Sequence, residues 1–200
     1  MTSKFTELAF TPDVKAVQER MGSRKAYARA ENGPIHHDRL GEAEVAFIAA
    51  RDSFYMASVS ETGWPYIQHR GGPAGFVKIL DETTLGFADF RGNRQYVSVG
   101  NLLGNDRVAL FFMDYPHQAR LKLLGRARVA TLDEEPDLIA RLVAPGYPAK
   151  VERGFLIAIE AFDWNCSQHI TPRFTEAEIA VAVAPLQQRI RELETLIERN

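Results

Sequence analysis

The segment with the clearest binding chemistry is residues 90–96, Phe-Arg-Gly-Asn-Arg-Gln-Tyr. An extended apolar run precedes it and apolar residues spaced by three and four follow it, so it joins a strand to the start of a helix. Backbone N–H groups at a helix N-terminus favour an anion, and Asn93 is a suitable N-cap. The guanidinium forks of Arg91 and Arg94 can bind phosphate oxygens in pairs. The pattern predicts a phosphate site, with arginines at a solvated helix start as the alternative.

A second polar group, Gln68, His69 and Arg70, ends a short extended run and leads into a glycine-rich turn. Residues 70–75 are Arg-Gly-Gly-Pro-Ala-Gly, which is too irregular for a strand and allows the backbone to lie close to a ligand. An amide, an imidazole and a guanidinium together suit an electron-rich heterocycle. The alternative is a sheet edge whose polar ends are solvated.

The third polar segment is residues 164–173, Trp-Asn-Cys-Ser-Gln-His-Ile-Thr-Pro-Arg, which follows the last extended run. Its density of functional groups predicts either a pocket wall or a subunit contact. Cys166 and His169 have the spacing of a thiolate–imidazole pair on a helical turn, but nothing supplies a third group, so no catalytic residue is assigned. His36, His37 and Asp38 could coordinate a metal, but adjacent side chains in an extended segment diverge and the other histidines show no zinc spacing, so we expect a surface loop there and no metal.

The elements that must position these side chains are short strands joined by hairpins. Extended runs are indicated at residues 54–59, 66–69, 76–80, 84–88, 107–114, 121–132 and 154–162. Helical spacing is indicated near residues 12–21, 41–51, 96–103 and 134–143. At least six strands with few intervening helices favour an antiparallel barrel over a doubly wound sheet. We therefore predict a mainly β or α+β fold with flanking helices.

The C-terminal residues carry a heptad spacing of apolar side chains. They are Ile179, Val183, Leu186, Ile190, Leu193 and Ile197. The seam covers only about three heptads and Pro185 interrupts it, which favours a helix docked on its own or a partner subunit over a free coiled coil. The predicted organisation is a helical segment at 1–40, a barrel at 41–174 and this helix at 175–200.

Composition excludes several classes of protein. Of the 200 residues, 46% are hydrophobic and 25% are charged, as in an ordinary globular chain. A net charge of −2 gives no broad positive field, so nucleic acid is not an expected partner. The apolar runs are too short to span a membrane, the single cysteine cannot form an internal bridge, and the N-terminus shows no apolar leader. We expect a cytoplasmic protein without membrane contacts.

Three runs of the sequence match a known pattern. Residues 92–95, Gly-Asn-Arg-Gln, are followed by Asn-Asp-Arg-Val-Ala-Leu-Phe-Phe at 105–112, and Gly63, Pro65 and Tyr66 lie in a turn before the second strand. These runs resemble the Gly-Ser-Arg-Lys helix start, the Asn-Pro-x-Val-x-Leu-Leu-Phe strand and the hairpin of the pyridoxamine 5'-phosphate oxidase-like family. The resemblance covers about residues 43–173 and implies a split β-barrel that binds FMN.

The resemblance also implies a homodimer with FMN at the subunit interface and a role for each polar segment. Residues 68–71 occupy positions that line the isoalloxazine ring, and Arg94 matches the phosphate-binding arginine. Gln95 stands where the family often has lysine, Arg91 is placed to replace that charge, and Arg120 falls where the family has a flavin-contacting glutamine. The expected FMN-binding residues are Gln68, His69, Arg70, Gly71, Arg91, Asn93, Arg94, Gln95, Arg120, Trp164, Gln168, His169 and Arg173.

Two departures from the family bear on activity. Members that oxidise pyridoxamine phosphate carry a lysine where this chain has Pro73, and an Arg-x-His motif that this chain lacks after Trp164. We therefore expect an FMN-dependent oxidoreductase with another small organic substrate, for which NADH or NADPH is a candidate reductant. A cation beside the pyrimidine end of the ring stabilises reduced flavin, and Arg70, Arg120 and His169 are candidates for that cation. The alternative is a flavin-binding or sensor module without turnover, because no acid–base pair is evident.

Overall fold

The computed structural model describes residues 2–31, 35–164 and 168–199, so Cys166 lies outside the described residues. Over these ranges the helices are α1 (Lys4–Ala9), α2 (Pro12–Arg20), α3 (Arg24–Ala28), α4 (Glu42–Ala49), α5 (Val97–Gly104), α6 (Pro136–Leu142) and α7 (Glu176–Glu198), with a 3₁₀ turn at Arg29–Glu31. The strands there are β1 (Thr2–Ser3), β2 (Ile35–His36), β3 (Ser53–Val59), β4 (Pro65–Gly71), β5 (Lys78–Asp81), β6 (Thr84–Phe90), β7 (Arg107–Asp114), β8 (Ala119–Thr131) and β9 (Val151–Trp164).

Local sequence signals account for several element boundaries. Helix α2 begins where Pro12 occupies the first turn and the Thr11 hydroxyl accepts the Val14 N–H over 3.4 Å. Strands β3 and β4 are joined by a turn in which Gly63 has a φ of 86°, a conformation that favours glycine. Both boundaries agree with the predicted helix near residues 12–21 and the predicted hairpin.

The main sheet of the described residues has seven strands in the order β4-β3-β7-β8-β9-β6-β5. Registers along β3–β4, β3–β7, β5–β6, β6–β9 and β8–β9 are all antiparallel. The longest pairing joins β8 to β9, with Leu121 opposite Trp164 and Thr131 opposite Arg153. Strands β1 and β2 form a separate parallel pair. The architecture is α+β, as predicted.

The sheet curls until its two ends meet. Strands β4 and β6 are five positions apart in the sheet order, yet Arg70 on β4 lies 2.6 Å from Asp89 on β6. Phe54 on β3 likewise packs edge-to-face on Phe87 of β6, with ring centroids 5.2 Å apart. A flat sheet could make neither contact, because neighbouring strands are about 4.8 Å apart. The predicted split antiparallel barrel is therefore confirmed.

Aromatic rings fill the barrel. Phe87 stacks on Phe155 at 5.1 Å, Phe54 stacks on Phe112 at 4.9 Å, and each of these rings is at most 1% exposed. Stacked and edge-to-face aromatic pairs add about 0.5–1.5 kcal/mol beyond the burial of their area. The core thus fixes β6 and β9, the two strands that carry Asp89 and Arg153.

Contacts divide the chain into two compact units. The first comprises residues 1–113 and 120–166 and holds the barrel core, and the second comprises residues 114–119 and 167–200. In the second unit α7 runs without a break through Pro185. The division at residues 40 and 174 stays a prediction. None of the helices in the described ranges is long and apolar enough to cross a membrane.

Candidate functional site

A cavity of about 420 Å³ opens in the first unit where β4 and β6 end and α5 begins. Its volume falls within the roughly 300–1,000 Å³ of small-molecule sites. The lining residues are Tyr66, Gln68, His69, Arg70, Gly71, Phe76, Phe87, Ala88, Asp89, Phe90, Arg91, Gly92, Asn93, Arg94, Gln95, Tyr96, Val97, Ser98, Val99, Tyr147, Ala149 and Glu152.

Eight of the predicted site residues lie together in this lining. They are Gln68, His69, Arg70, Gly71, Arg91, Asn93, Arg94 and Gln95. Residues 68–71 come from β4 and residues 91–95 from the loop after β6, and closure of the barrel brings the two segments to one place. The two separate polar segments of the sequence therefore form one site.

Arg70 is a largely buried cation in the lining of the cavity. Its Nη1 lies 2.6 Å from Asp89 Oδ1, and its guanidinium stands 5.0 Å above the Phe155 ring. Burial lowers the pKa of the Arg70 guanidinium and raises the pKa of the Asp89 carboxyl, and the attraction between the two groups opposes both shifts. Arg153 approaches Asp89 from the other side, with Nε 3.3 Å from Oδ2. The Nε of Arg70 is buried and has no acceptor among the described residues.

Side chains alternate along β4, so Tyr66 and Gln68 share the face of Arg70, and the Tyr66 hydroxyl donates to Gln68 Oε1. His69 lies on the other, exposed face, where its ring packs edge-to-face on Tyr55 at 5.6 Å. In the turn after β4, the sequence analysis attributed the glycines to close approach of a ligand, but Gly72 has a different role. A Cβ on Gly72 would lie 2.7 Å from Cγ of Phe76, so this glycine makes room for a core ring.

The loop between β6 and α5 has a different geometry from the predicted helix start. Asn93 does not cap the helix, because its Oδ1 accepts the Gln95 N–H over 3.2 Å and so closes a turn within the loop. Arg94 and Tyr96 have φ values of 62° and 55°, in the left-handed region, and the helix begins only at Val97. The predicted N-cap role of Asn93 is thus wrong.

The N-terminus of α5 opens into the cavity without a side-chain cap. Val97, Ser98 and Val99 line the cavity, and the N-cap residue Tyr96 makes no capping hydrogen bond. The helix is fixed to the barrel because buried Asn101 donates to the Ser58 hydroxyl of β3 over 2.9 Å. Uncapped first-turn N–H groups and the positive end of the helix dipole attract an anion.

An ion network surrounds this helix end. Glu152 accepts from Arg153 Nη2 at 2.9 Å and from the Tyr96 hydroxyl at 3.3 Å, while Arg91 Nε lies 3.5 Å away. Desolvation opposes ionisation of Glu152, but the bonds from Arg153 and Tyr96 outweigh it and lower its pKa. Arg94 Nε donates to the same Tyr96 hydroxyl at 3.1 Å.

The charges of the network do not balance. In the described part of the chain it contains four guanidiniums and two carboxylates, a net charge of +2: Arg70, Arg91, Arg94 and Arg153 against Asp89 and Glu152. Arg91 and Arg94 are exposed, whereas Arg70 and Asp89 are largely buried. The excess positive charge is therefore available at the open side of the cavity, beside the α5 N-terminus.

Five predicted site residues are outside the lining. Trp164 donates its Nε1–H to Glu44 of α4 over 2.6 Å and packs on Phe47 at 4.8 Å. The Nε of Arg120, at the start of β8, is buried with no acceptor among residues 2–31, 35–164 and 168–199. The remaining three belong to the second unit: Gln168, His169 and Arg173.

Within the second unit, Gln168 and His169 are exposed in a turn, and His169 has a φ of 65°. Arg173 stands over the Tyr115 ring at 4.8 Å, a cation–π contact. The flavin-binding role of Arg120, Trp164, Gln168, His169 and Arg173 stays a prediction.

The sequence analysis missed the acidic half of the site. Asp89 lies in an apolar strand, and its partner Arg153 faces it across the β6–β9 register, a pairing that only the fold reveals. A signal was present for Glu152, since Glu152 and Arg153 are adjacent charges at the start of a strand. Tyr147, which packs on Phe90 at 5.0 Å, closes one side of the cavity from a loop.

The fold and the cavity define a split-barrel protein with a positively charged cavity built from β4, the β6–α5 loop and the start of α5. Comparison with known proteins is consistent with this class. The family model for pyridoxamine 5'-phosphate oxidase matches residues 40–162, more than half of the chain. The chain belongs to this family, which confirms the predicted resemblance.

Two solved structures with TM-scores just above 0.5 show the same fold at low sequence identity. HupZ of Group A Streptococcus is 15% identical, with a TM-score of 0.51 over 68% of this chain and 100% of that one. A variant of the same streptococcal protein, with one histidine replaced by alanine, is 17% identical, with a TM-score of 0.51 over 62% of this chain and 98% of that one. A putative pyridoxamine 5'-phosphate oxidase from Lactobacillus delbrueckii is 21% identical, with a TM-score of 0.49 over 63% and 94%. No curated protein is similar enough to count as a relative.

Proposed function

We propose that the cavity binds FMN, with the phosphate at the α5 N-terminus and the ring system along β4. The observation that carries this proposal is the meeting of an uncapped helix N-terminus with a network of net charge +2. A phosphate monoester carries a charge of about −1.5 to −2 at pH 7 and so matches that excess. Arg91 and Arg94 are the exposed guanidiniums that would hold it.

The residues present also suit a flavin ring. Arg70 lines the cavity, and its buried Nε–H lacks an acceptor among the described residues, which a ligand carbonyl oxygen would supply. Gln68 adds an amide on the same face of β4 as Arg70. This combination of one buried unpaired donor and a phosphate cradle argues for a phosphorylated heterocycle over a simple anion.

Bound FMN would supply hydride or electron transfer, and the chain's residues would orient it and adjust its reactivity. Arg91 and Arg94 fix the phosphate, while Asp89 holds the Arg70 guanidinium in place through a 2.6 Å ion pair. Arg70 would thereby present its unpaired Nε–H to the ring, while Asp89 offsets most of its charge. We propose an oxidoreductase with a small organic substrate, NADH or NADPH as a candidate reductant, and a homodimer in which the flavin lies at the interface. The cytoplasmic location stays a prediction.

Purified protein tests the proposal in two stages. FMN is titrated against protein while flavin fluorescence is followed, with riboflavin as the ligand that lacks phosphate. Saturable FMN binding that exceeds riboflavin binding at least tenfold is expected, and equal affinities would exclude the phosphate assignment. Loaded protein is then mixed with NADH or NADPH without oxygen, and bleaching of the flavin absorbance is followed. Loss of absorbance supports an enzyme, whereas binding without reduction by either nucleotide or by added organic donors supports a flavin-binding module.

A further inference from the structure

Helix α7 presents a continuous apolar seam that its own unit does not bury. The 23-residue helix has no buried side chain, and Leu186 and Ile190 are 64% and 54% exposed. Its start is fixed by a capping box, in which Thr175 Oγ1 accepts the Glu178 N–H and Glu178 Oε2 accepts the Thr175 N–H. A long, well-capped helix with an exposed apolar stripe requires a covering surface.

The residue types on the seam specify how it is covered. In heptad notation Val183, Ile190 and Ile197 fall at position a, and Ile179, Leu186 and Leu193 fall at position d. β-Branched residues at a with leucine at d favour parallel two-stranded coiled coils. Pro185 falls at position c, which faces away from the seam, and the helix continues through it. Pro185, which in the sequence analysis counted against a coiled coil, is therefore compatible with a coiled coil.

We propose that a second copy of this chain covers the seam, so that two α7 helices form a parallel, in-register, two-stranded coiled coil. Charge placement favours this geometry. Arg189 occupies position g and Glu194 occupies the following position e, so in a parallel pair each Arg189 faces the partner's Glu194. An antiparallel pair that overlaps along the same seam would place Arg189 opposite the partner's Arg189. The parallel arrangement thus gains two ion pairs where the antiparallel one gains a repulsion.

The contact that Arg189 makes within its own helix does not prevent it from pairing with Glu194 of a second copy. Arg189 Nη1 lies 3.0 Å from Glu192 of its own helix, and both side chains are exposed. Exposed pairs of this kind contribute little, so Arg189 can exchange this partner at low cost. A membrane surface fits poorly, because Glu176–Glu198 contains five glutamates and two arginines, whereas interfacial helices carry a basic polar face.

Disulfide cross-linking in the full-length protein tests the register. In a Cys166→Ser background, Leu193→Cys places a thiol at position d, where identical residues of a parallel pair face each other. Gln188→Cys, at position f on the opposite face, is the matched control. Air oxidation should convert Leu193→Cys to a disulfide-linked dimer at least tenfold faster than Gln188→Cys. Equal rates, or a Leu193→Cys chain that stays unlinked, would overturn the proposal and indicate cover by the chain's own surface or another molecule.

Charge reversal at the positions that flank the seam tests the same geometry through the ion pairs. Arg189→Glu and Glu194→Arg, each in the Leu193→Cys background, place like charges across the interface and should slow cross-linking about three- to tenfold. The double reversal restores opposite charges and should recover the parent rate to within about twofold. A double variant as slow as the single variants would contradict the parallel register. The proposal does not depend on FMN, so repeating the assay with and without FMN separates its failure from that of the proposed function.

Discussion

Replacing Arg94 with alanine tests the proposed phosphate site at one of its two exposed guanidiniums. A hydrogen bond to a charged group contributes about 1.5–3 kcal/mol. Arg94 is exposed and already donates to the Tyr96 hydroxyl at 3.1 Å, so solvent screening places its contribution at the lower end of that range. We expect the Kd for FMN to rise about 10- to 30-fold.

The assay is a fluorescence titration with FMN and with riboflavin in parallel. Because Arg94 has a φ of 62°, alanine also strains the backbone, and Arg94→Asn removes the charge while tolerating that conformation. Arg126→Ala is the matched control, since this exposed arginine pairs with Asp106 and Glu160 and does not line the cavity. If Arg94→Asn weakened riboflavin and FMN binding equally, Arg94 would support the local fold instead of the phosphate, and the charge argument would fail.

Three further predictions concern assembly, buried charge and the second unit. If FMN binds at a subunit interface, saturating FMN should strengthen the dimer in sedimentation at low protein concentration, and a flavin-saturated monomer would exclude this linkage. Burial raises the pKa of Asp89, so its contribution to stability is present below the ordinary carboxyl pKa and is lost as pH rises through the raised value. Urea unfolding of Asp89→Asn should therefore show a smaller decline in stability than wild type above about pH 4, and identical slopes would contradict the assigned shift. His169→Asn, which keeps the left-handed backbone, should change the flavin's reduction potential more than FMN affinity, and an unchanged potential would contradict the predicted flavin-binding role of His169.

The cavity-lining residues that could be predicted from the sequence are those next to recognisable turns. Residues 68–71 and 91–95 were recognisable because each group follows an extended run and contains or precedes glycine. Their meeting in one cavity depends on closure of the barrel, which the strand count and hairpin spacing indicated. The fold class and the two segments that line the cavity were therefore accessible from local patterns.

The remaining features depend on contacts between distant residues. The pairing of Trp164 with Glu44 spans 120 residues, and the contact of Asp89 with Arg153 follows from the β6–β9 register. The late start of α5 depends on two non-glycine residues in left-handed conformations, which no propensity favours. Periodicity alone could not place these side chains.

Burial divides the arginines of the cavity between two tasks. Arg70 lies between Asp89 and the Phe155 ring, and its ion pair with Asp89 is largely withdrawn from solvent, so it contributes fixed geometry and little net field. The exposed Arg91 and Arg94 are coupled to the site mainly through Glu152 and the Tyr96 hydroxyl and can reorient toward a ligand. The charges that would attract a phosphate therefore lie on the exposed Arg91 and Arg94, whereas the guanidinium that would orient a ring is that of Arg70. Variants of the exposed arginines should therefore reduce the difference in affinity between FMN and riboflavin. Variants of Arg70 or Asp89 should instead change the affinities of both ligands to the same extent.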